Sequence, residues 1–320
     1  MAHELTQRKN GFIEFAALGE RKAVWHGLGQ YLEEGQDISQ WKTAAGMDWE
    51  IFSSPVMYQA FMETKIDASR QVLFRSDSHD MLSVVSSEYK IVQPGEVLEF
   101  FREFTNLNQM KLSAAGTLFG GKRFWATAEL GKEAFIIDGD KIEGYLLLVT
   151  SADGTLSTQA KFSSTRVVCN NTLNVALSEQ NKVVRKTHAS QFDAREFKVD
   201  LGLIDKGWDN FVTNLKSLAD QKVVQDEANE FFARLVNPKN DSAMKESLGY
   251  IRQMQALQYF YKNGSGAEMS HGTKWGLLNA VTEMHTHGSG RSGADSQFDK
   301  SEFGKGAAVK QEALDLLLCS

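Results

Sequence analysis

Three strand-like segments follow one another closely in the middle of this 320-residue chain, and they restrict its fold more than any other feature. They cover residues 123–130, 143–150 and 156–162, with a turn at 152–154 between the second and the third. Connections this short join antiparallel neighbours, because a parallel crossover needs about a dozen residues or more. The pattern therefore predicts an antiparallel sheet at the centre of the protein.

The next segment, residues 165–178, has apolar residues at helical spacing and is predicted as a helix that completes a strand-strand-strand-helix unit. Arg166, Asn170 and Asn174 recur at every fourth position and would form a polar stripe, with Asn171 beside it. A row of amides and one guanidinium suits a phosphodiester or the edge of a base. The same row would also suit a polar network inside an oligomer interface.

The flanking parts of the chain differ in pattern. Residues 1–110 mix helix and strand signals, and residues 201–320 are mainly helical. We therefore expect an α+β fold. Its core domain would span residues 1–200, with the sheet and the Asn-rich helix in residues 111–200, and a mainly helical part would follow.

Charge is distributed unevenly along the chain. Lys and Arg number 35 against 41 Asp and Glu, a formal net charge of −6, which excludes a protein that binds nucleic acid by overall basicity. Residues 160–198, however, hold seven basic and three acidic side chains, a local charge of +4. This stripe is interpreted as a polyanion-binding groove, and an ordinary solvated segment is the alternative.

Other familiar classes of site are missing from the sequence. Cys169 and Cys319 form no C-x-x-C pair, and the longest apolar run, residues 145–149, is too short to span a membrane. Glu283, His285 and His287 carry metal-binding groups, but two histidines at this spacing point apart on a helix. With no P-loop, catalytic triad or carboxylate dyad, we expect no metal, no cofactor and no familiar hydrolase or NTPase. The chain reads as a reduced, cytoplasmic protein.

Six short motifs occur along the chain: residues 25–29 (WHGLG), 45–50 (AGMDWE), 89–93 (YKIVQ), 165–173 (TRVVCNNTL), 186–188 (KTH) and 272–283 (GTKWGLLNAVTE). Together and in this order they resemble the phage/plasmid-like protein family, a domain of unknown function found in bacteriophages, prophages and conjugative plasmids. Ala23 and Val24 depart from the pattern, since a proline commonly precedes the tryptophan. Four motif residues have no assigned role: Trp25, His26, Asn171 and His188.

The resemblance implies DNA metabolism of a mobile element in the cytoplasm of a bacterial host. The predicted strand-strand-strand-helix unit is also similar in topology to phage single-strand annealing proteins, in which DNA lies in a basic groove between a hairpin and a helix. That similarity, with the basic stripe, implies nine nucleic-acid-binding residues: Lys122, Arg123, Lys161, Arg166, Asn170, Asn174, Lys182, Arg185 and Lys186.

We therefore expect a homo-oligomer that binds single-stranded DNA, to anneal or protect it, without a cofactor. One alternative is a structural or host-takeover protein that acts through protein–protein contacts. A second alternative is an enzyme with a site formed by His26, Arg166 and His188.

Overall fold

The computed structural model describes residues 6–19, 28–106, 110–166, 171–175, 184–186, 188, 204–288, 300–302 and 304–319. Within these residues the chain has an α+β fold with largely antiparallel sheets, which confirms the predicted fold class. It forms two compact units, each made of three chain segments. The first comprises Met1–Gly131, Tyr145–Lys161 and Val183–Gly202, and the second comprises Lys132–Gly144, Phe162–Lys182 and Leu203–Ser320.

The described strands form two sheets. In chain order they are β1 (Phe15–Leu18), β2 (Gln30–Leu32), β3 (Ile51–Ala60), β4 (Glu63–Arg75), β5 (Met81–Ser86), β6 (Lys111–Leu118), β7 (Arg123–Ile137), β8 (Asp140–Ser151), β9 (Thr158–Arg166), β10 (Asn171–Val175) and β11 (Val184–Lys186). The larger sheet has the order β10-β9-β8-β7-β6-β1-β2, and β11 also pairs with β9. The smaller sheet has the order β3-β4-β5.

The three predicted central strands are present as β7, β8 and β9. All the described pairs of this sheet for which a register is defined are antiparallel, except that β1 runs parallel to β2. β7, β8 and β9 each begin in one unit and end in the other. The antiparallel hairpins follow from the short turns, as the sequence indicated.

The predicted helix over residues 165–178 is wrong. β9 extends to Arg166, and Asn171–Val175 forms β10, which pairs with β9 so that Asn171 lies opposite Arg166 and Val175 opposite Phe162. β-Branched residues such as Thr172 and Val175 favour an extended backbone, and asparagine disfavours a helix interior. The strand-strand-strand-helix unit therefore does not form at this position, and β9 continues into a hairpin instead.

The smaller sheet carries a hairpin that is much longer than the third strand. β3 and β4 stay paired to their two-residue turn between Ala60 and Glu63, whereas β5 pairs only with the part of β4 from Arg70 to Phe74. The β3–β4 register shifts after Pro55, where the partner changes from Gln71 to Asp67. We call residues 56–67, beyond this shift, the arm.

The described helices, in chain order, are α1 (Ile38–Ala44), α2 (Pro94–Asn106), α3 (Ile204–Asp220), α4 (Gln225–Val236), α5 (Ser242–Lys245), α6 (Leu248–Asn263), α7 (Ala267–Ser270), α8 (Lys274–His287) and α9 (Lys305–Cys319). α1 shows why the sequence fixes these ends. Asp37 caps its first turn by accepting a hydrogen bond from the Gln40 backbone, and Gly46 follows it with a φ of 65°, a left-handed conformation that suits glycine.

Helix α8 forms the core of the second unit. Every residue from Trp275 to Glu283 is buried on it. The Trp275 indole donates a hydrogen bond of 2.7 Å to the buried carboxylate of Asp140, and Thr273 caps the helix. The GTKWG motif therefore has a structural explanation in this unit.

No described helix is both long and apolar enough to cross a membrane.

Candidate functional site

Two loops meet at one end of the larger sheet, within the first unit. One loop, residues 119–122, joins β6 to β7, and the other, residues 152–157, joins β8 to β9. The Ala152 N–H donates to the Lys122 carbonyl at 2.7 Å. This hydrogen bond fixes the spacing of the two loops and places the first predicted basic residue beside the loop that precedes β9.

Tyr89 and His188 hold a third segment against these loops. Their rings stack with centroids 4.5 Å apart, and the Tyr89 hydroxyl donates to the Ser151 carbonyl at 2.7 Å. The ring nitrogens of His188 lie 3.3 Å from the Lys90 carbonyl and 3.1 Å from the Leu156 carbonyl. The YKIVQ and KTH motifs, distant in sequence, therefore touch each other. His188 is buried and positions the backbone, which gives this motif residue a structural role.

Tyr89 is a neutral hydrogen-bond donor in this contact. Burial raises the pKa of its hydroxyl, and the nearby charge of Asp153 raises it further. The hydroxyl therefore keeps its proton and its bond to the backbone at any ordinary pH.

Arg123 and Phe119 lie next to each other at the same end of the sheet. The Arg123 guanidinium stands 5.5 Å from the centre of the Phe119 ring, and its Nη2 donates to the Thr155 hydroxyl at 3.0 Å. Arg123 is only 9% exposed, and burial lowers its pKa although Asp153 acts in the opposite direction. Lys122 is exposed, so it presents the more accessible charge.

Phe119 has an unusual backbone for its residue type. Its φ is 56°, in the left-handed region that bulky residues seldom adopt, and its side chain is 37% exposed. The partly exposed ring, which the Arg123 guanidinium approaches, is a candidate for stacking on a ligand. Phe124 and Trp125 of the next strand are both buried and cannot serve in this way.

Strand β11 brings two further basic residues to this end of the sheet. Arg185 pairs with Gln159 and Lys186 with Thr158, the first residue of β9 after the loop 152–157. We call Lys122, Arg123, Arg185 and Lys186 the basic edge. Asp153 lies beside Arg123. The four residues of the basic edge and Asp153 together carry more positive than negative charge.

The remaining predicted binding residues lie elsewhere. Lys161 is in β9 and only 4% exposed, so its side chain is part of the interior, contrary to a role at the surface. Arg166 ends β9 and Asn174 lies in β10 opposite Ser163, both in the second unit. Four other predicted residues fall outside the described part of the chain: Asn170, Lys182, Trp25 and His26.

This geometry gives little support to the proposed enzyme site of His26, Arg166 and His188. Both ring nitrogens of His188 face backbone carbonyl oxygens, so neither is directed at a substrate. His26 and the side chain of Arg166 fall outside the description. Among the described residues, no group of three or more His, Cys, Asp or Glu is placed to hold a metal ion.

A buried ion-pair cluster that the sequence analysis missed supports the loop 119–122. Glu14 is fully buried and bonds Arg75 at 2.5 Å, while the Thr117 hydroxyl also donates to this carboxylate. The Arg75 guanidinium lies over the Trp49 ring at 4.0 Å and donates to the Gly120 carbonyl at 3.3 Å. The AGMDWE motif, which contains Trp49, is the sequence feature that could have indicated this cluster.

The charged forms of Arg75 and Asp77 are strongly favoured in this cluster. Burial opposes the charge of Arg75, but hydrogen bonds to Asp77 and Glu14 raise its pKa beyond the ordinary value. Arg75 also lowers the pKa of the Asp77 carboxyl. Arg75 and Asp77 therefore remain ionised, and the hydrogen bond from Arg75 to Gly120 ties the cluster to the loop.

A family model described as "Domain of unknown function (DUF932)" matches residues 81–307 of this chain. No curated protein and no solved structure matches it significantly. The matched region begins at β5 and reaches into α9, so it contains the basic edge and both motifs that meet at Tyr89 and His188.

Proposed function

The chain belongs to this family of domains of unknown function, and we propose that it binds single-stranded nucleic acid at the basic edge. One observation carries the proposal. Two chain segments more than sixty residues apart, 122–123 and 185–186, place four basic residues at one end of one sheet.

The chemistry of this edge suits a flexible polyanion. Lysine and arginine neutralise phosphates and release counterions, which is the main source of affinity for nucleic acid without sequence preference. The exposed ring of Phe119 beside Arg123 provides a face on which a base can stack, a contact worth about 1–3 kcal/mol. Stacking requires an unpaired base, so the proposal favours single strands over duplex.

The biological setting that we propose is mobile-element DNA metabolism. The motif resemblance to phage and plasmid proteins supports this setting, with strand protection or annealing in the bacterial cytoplasm as the activity. Annealing needs only charge neutralisation and alignment of bases, so the proposal requires no cofactor.

Fluorescence anisotropy with a labelled single-stranded oligonucleotide, at salt concentrations from about 50 to 200 mM, tests the proposal. The variant Lys122→Ala/Lys186→Ala removes two charges of the basic edge. Each lost phosphate contact reduces the slope of log K against log salt by about 0.7, so the double variant should be shallower by about 1.4. Lys239→Ala/Lys245→Ala, in exposed positions of the second unit, is the matched control for net charge.

Stacking is tested separately with Phe119→Leu, which keeps an apolar side chain at the same strained backbone position. We expect binding about five-fold weaker at every salt concentration, because stacking does not depend on counterions. Absence of binding by the wild type at low salt would refute the proposed function. Equal losses in the basic-edge variant and its control would show that binding follows net charge alone.

A further inference from the structure

The arm exposes more apolar surface than is usual for a hairpin that contacts only solvent. Its exposed apolar residues are Met57, Tyr58, Phe61, Met62 and Ile66. Phe61 and Met62 are almost fully exposed and the other three are at least half exposed, which corresponds to apolar surface on the order of several hundred Å². Apolar patches larger than a few hundred Å² on a soluble protein mark interaction sites.

The tip of the arm is apolar, although a two-residue turn normally contains glycine or asparagine. Phe61 is 100% exposed and Met62 is 94% exposed, and together they form the two-residue turn between Ala60 and Glu63. The φ of Phe61 is 57°, a conformation that such turns normally assign to glycine or asparagine. A side chain that contacts nothing and strains its own backbone contributes no stability to the hairpin. An exposed apolar residue with a strained backbone is typical of an interaction site.

We propose that the arm mediates self-association by binding a second copy of this chain. Its charge argues against nucleic acid and anionic membranes as occupants, because Glu63 and Asp67 outnumber Lys65. The exposed pair of Lys65 and Glu63, 3.0 Å apart, instead offers both signs of charge to an identical arm. A two-fold axis can place each sign opposite its complement, as self-complementary interfaces require.

Strand β3 supplies the geometry for such pairing. It lies at the end of the order β3-β4-β5, so its outer backbone groups have no strand partner within the described residues. An edge of this kind is a template for another strand, and two identical β3 edges can pair antiparallel about a two-fold axis. Met57 and Ile66 are paired and share a face of the arm, so they would then adjoin the same pair of the second arm.

Sedimentation velocity over a range of protein concentrations tests the proposal. We expect the wild type to form dimers or larger species. The dissociation constant for self-association of Phe61→Gly/Met62→Ser should be at least about 30-fold higher than that of the wild type. Glycine relieves the left-handed backbone of residue 61, so at concentrations where both proteins are monomeric the midpoint of thermal unfolding should stay equal or rise. Opposite effects on folding and association distinguish lost contacts from lost structure.

Leu248→Ser/Tyr259→Ser is the matched control, because it removes two exposed apolar side chains from α6 in the second unit. Dissociation in the arm variant alone would support the proposal. A monomeric wild type, an arm variant that associates like the wild type, or an equal effect of the control would overturn it. If the wild type is monomeric and the arm variant loses oligonucleotide affinity, the occupant of the arm is nucleic acid.

The same preparations separate this proposal from the proposed function. A labelled oligonucleotide short enough for one subunit should bind the arm variant as tightly as the wild type, because the basic edge is intact. Failure of oligonucleotide binding by every protein would refute the proposed function and leave the sedimentation result valid for the arm.

Discussion

His285 should make the protein sensitive to mild acid. Burial lowers the pKa of His285 to about 4, and the positive charges of Lys310 and Lys305 add to the effect. A histidine in an unfolded chain titrates near 6.5, so the unfolded state takes up this proton first. Stability is therefore fully present above about pH 6.5 and falls as the pH falls toward 4. The difference corresponds to about 3 kcal/mol, at 1.36 kcal/mol per pH unit.

Urea unfolding between about pH 7.5 and 4.5 measures this loss in the wild type and in His285→Gln. We expect the free energy of unfolding to fall by about 2–3 kcal/mol more in the wild type, because the variant has no proton to gain at this position. His287→Gln, an exposed histidine two residues further along α8, is the control and should follow the wild type. Parallel pH curves for the wild type and His285→Gln would refute the reasoning.

Three further substitutions test buried contacts, each by urea unfolding at neutral pH. Trp275→Phe removes the donor to the buried Asp140 carboxylate and should cost about 2 kcal/mol, and a change below about 0.5 kcal/mol would contradict that role. Gly121→Ala should cost at least about 2 kcal/mol, because φ is 89° and a Cβ would lie 2.7 Å from Arg75 Nη1. Glu14→Gln leaves the Arg75 guanidinium without its buried counter-charge and should cost about 3 kcal/mol, and an unchanged midpoint would count against the ion pair.

The sequence was sufficient where local pattern and local chemistry agreed. Strand-like segments and short turns predicted β7, β8 and β9. The segment 165–178 misled because a spacing of four residues fits two structures. Residues at every fourth position share a face of a helix, but they also share a face of a strand, whose period is two. Only the pairing with β9 decides between them, and that pairing is not local.

The candidate site was predicted in part for the same reason. Charge indicated which basic residues to consider, but not which of them the fold buries, and Lys161 is only 4% exposed. The placement of Lys186 at the same end of the sheet as Lys122 depends on the β9–β11 register. The exposed ring of Phe119 depends on a left-handed backbone for which no local signal exists.

The interleaving of the two units has a consequence for how this gene can vary. The chain passes between the units five times, and each unit is assembled from three separate stretches of sequence. A crossover or gene fusion within residues 132–202 therefore divides both units. In this protein the smallest exchangeable module that preserves both units is the chain that contains all six segments.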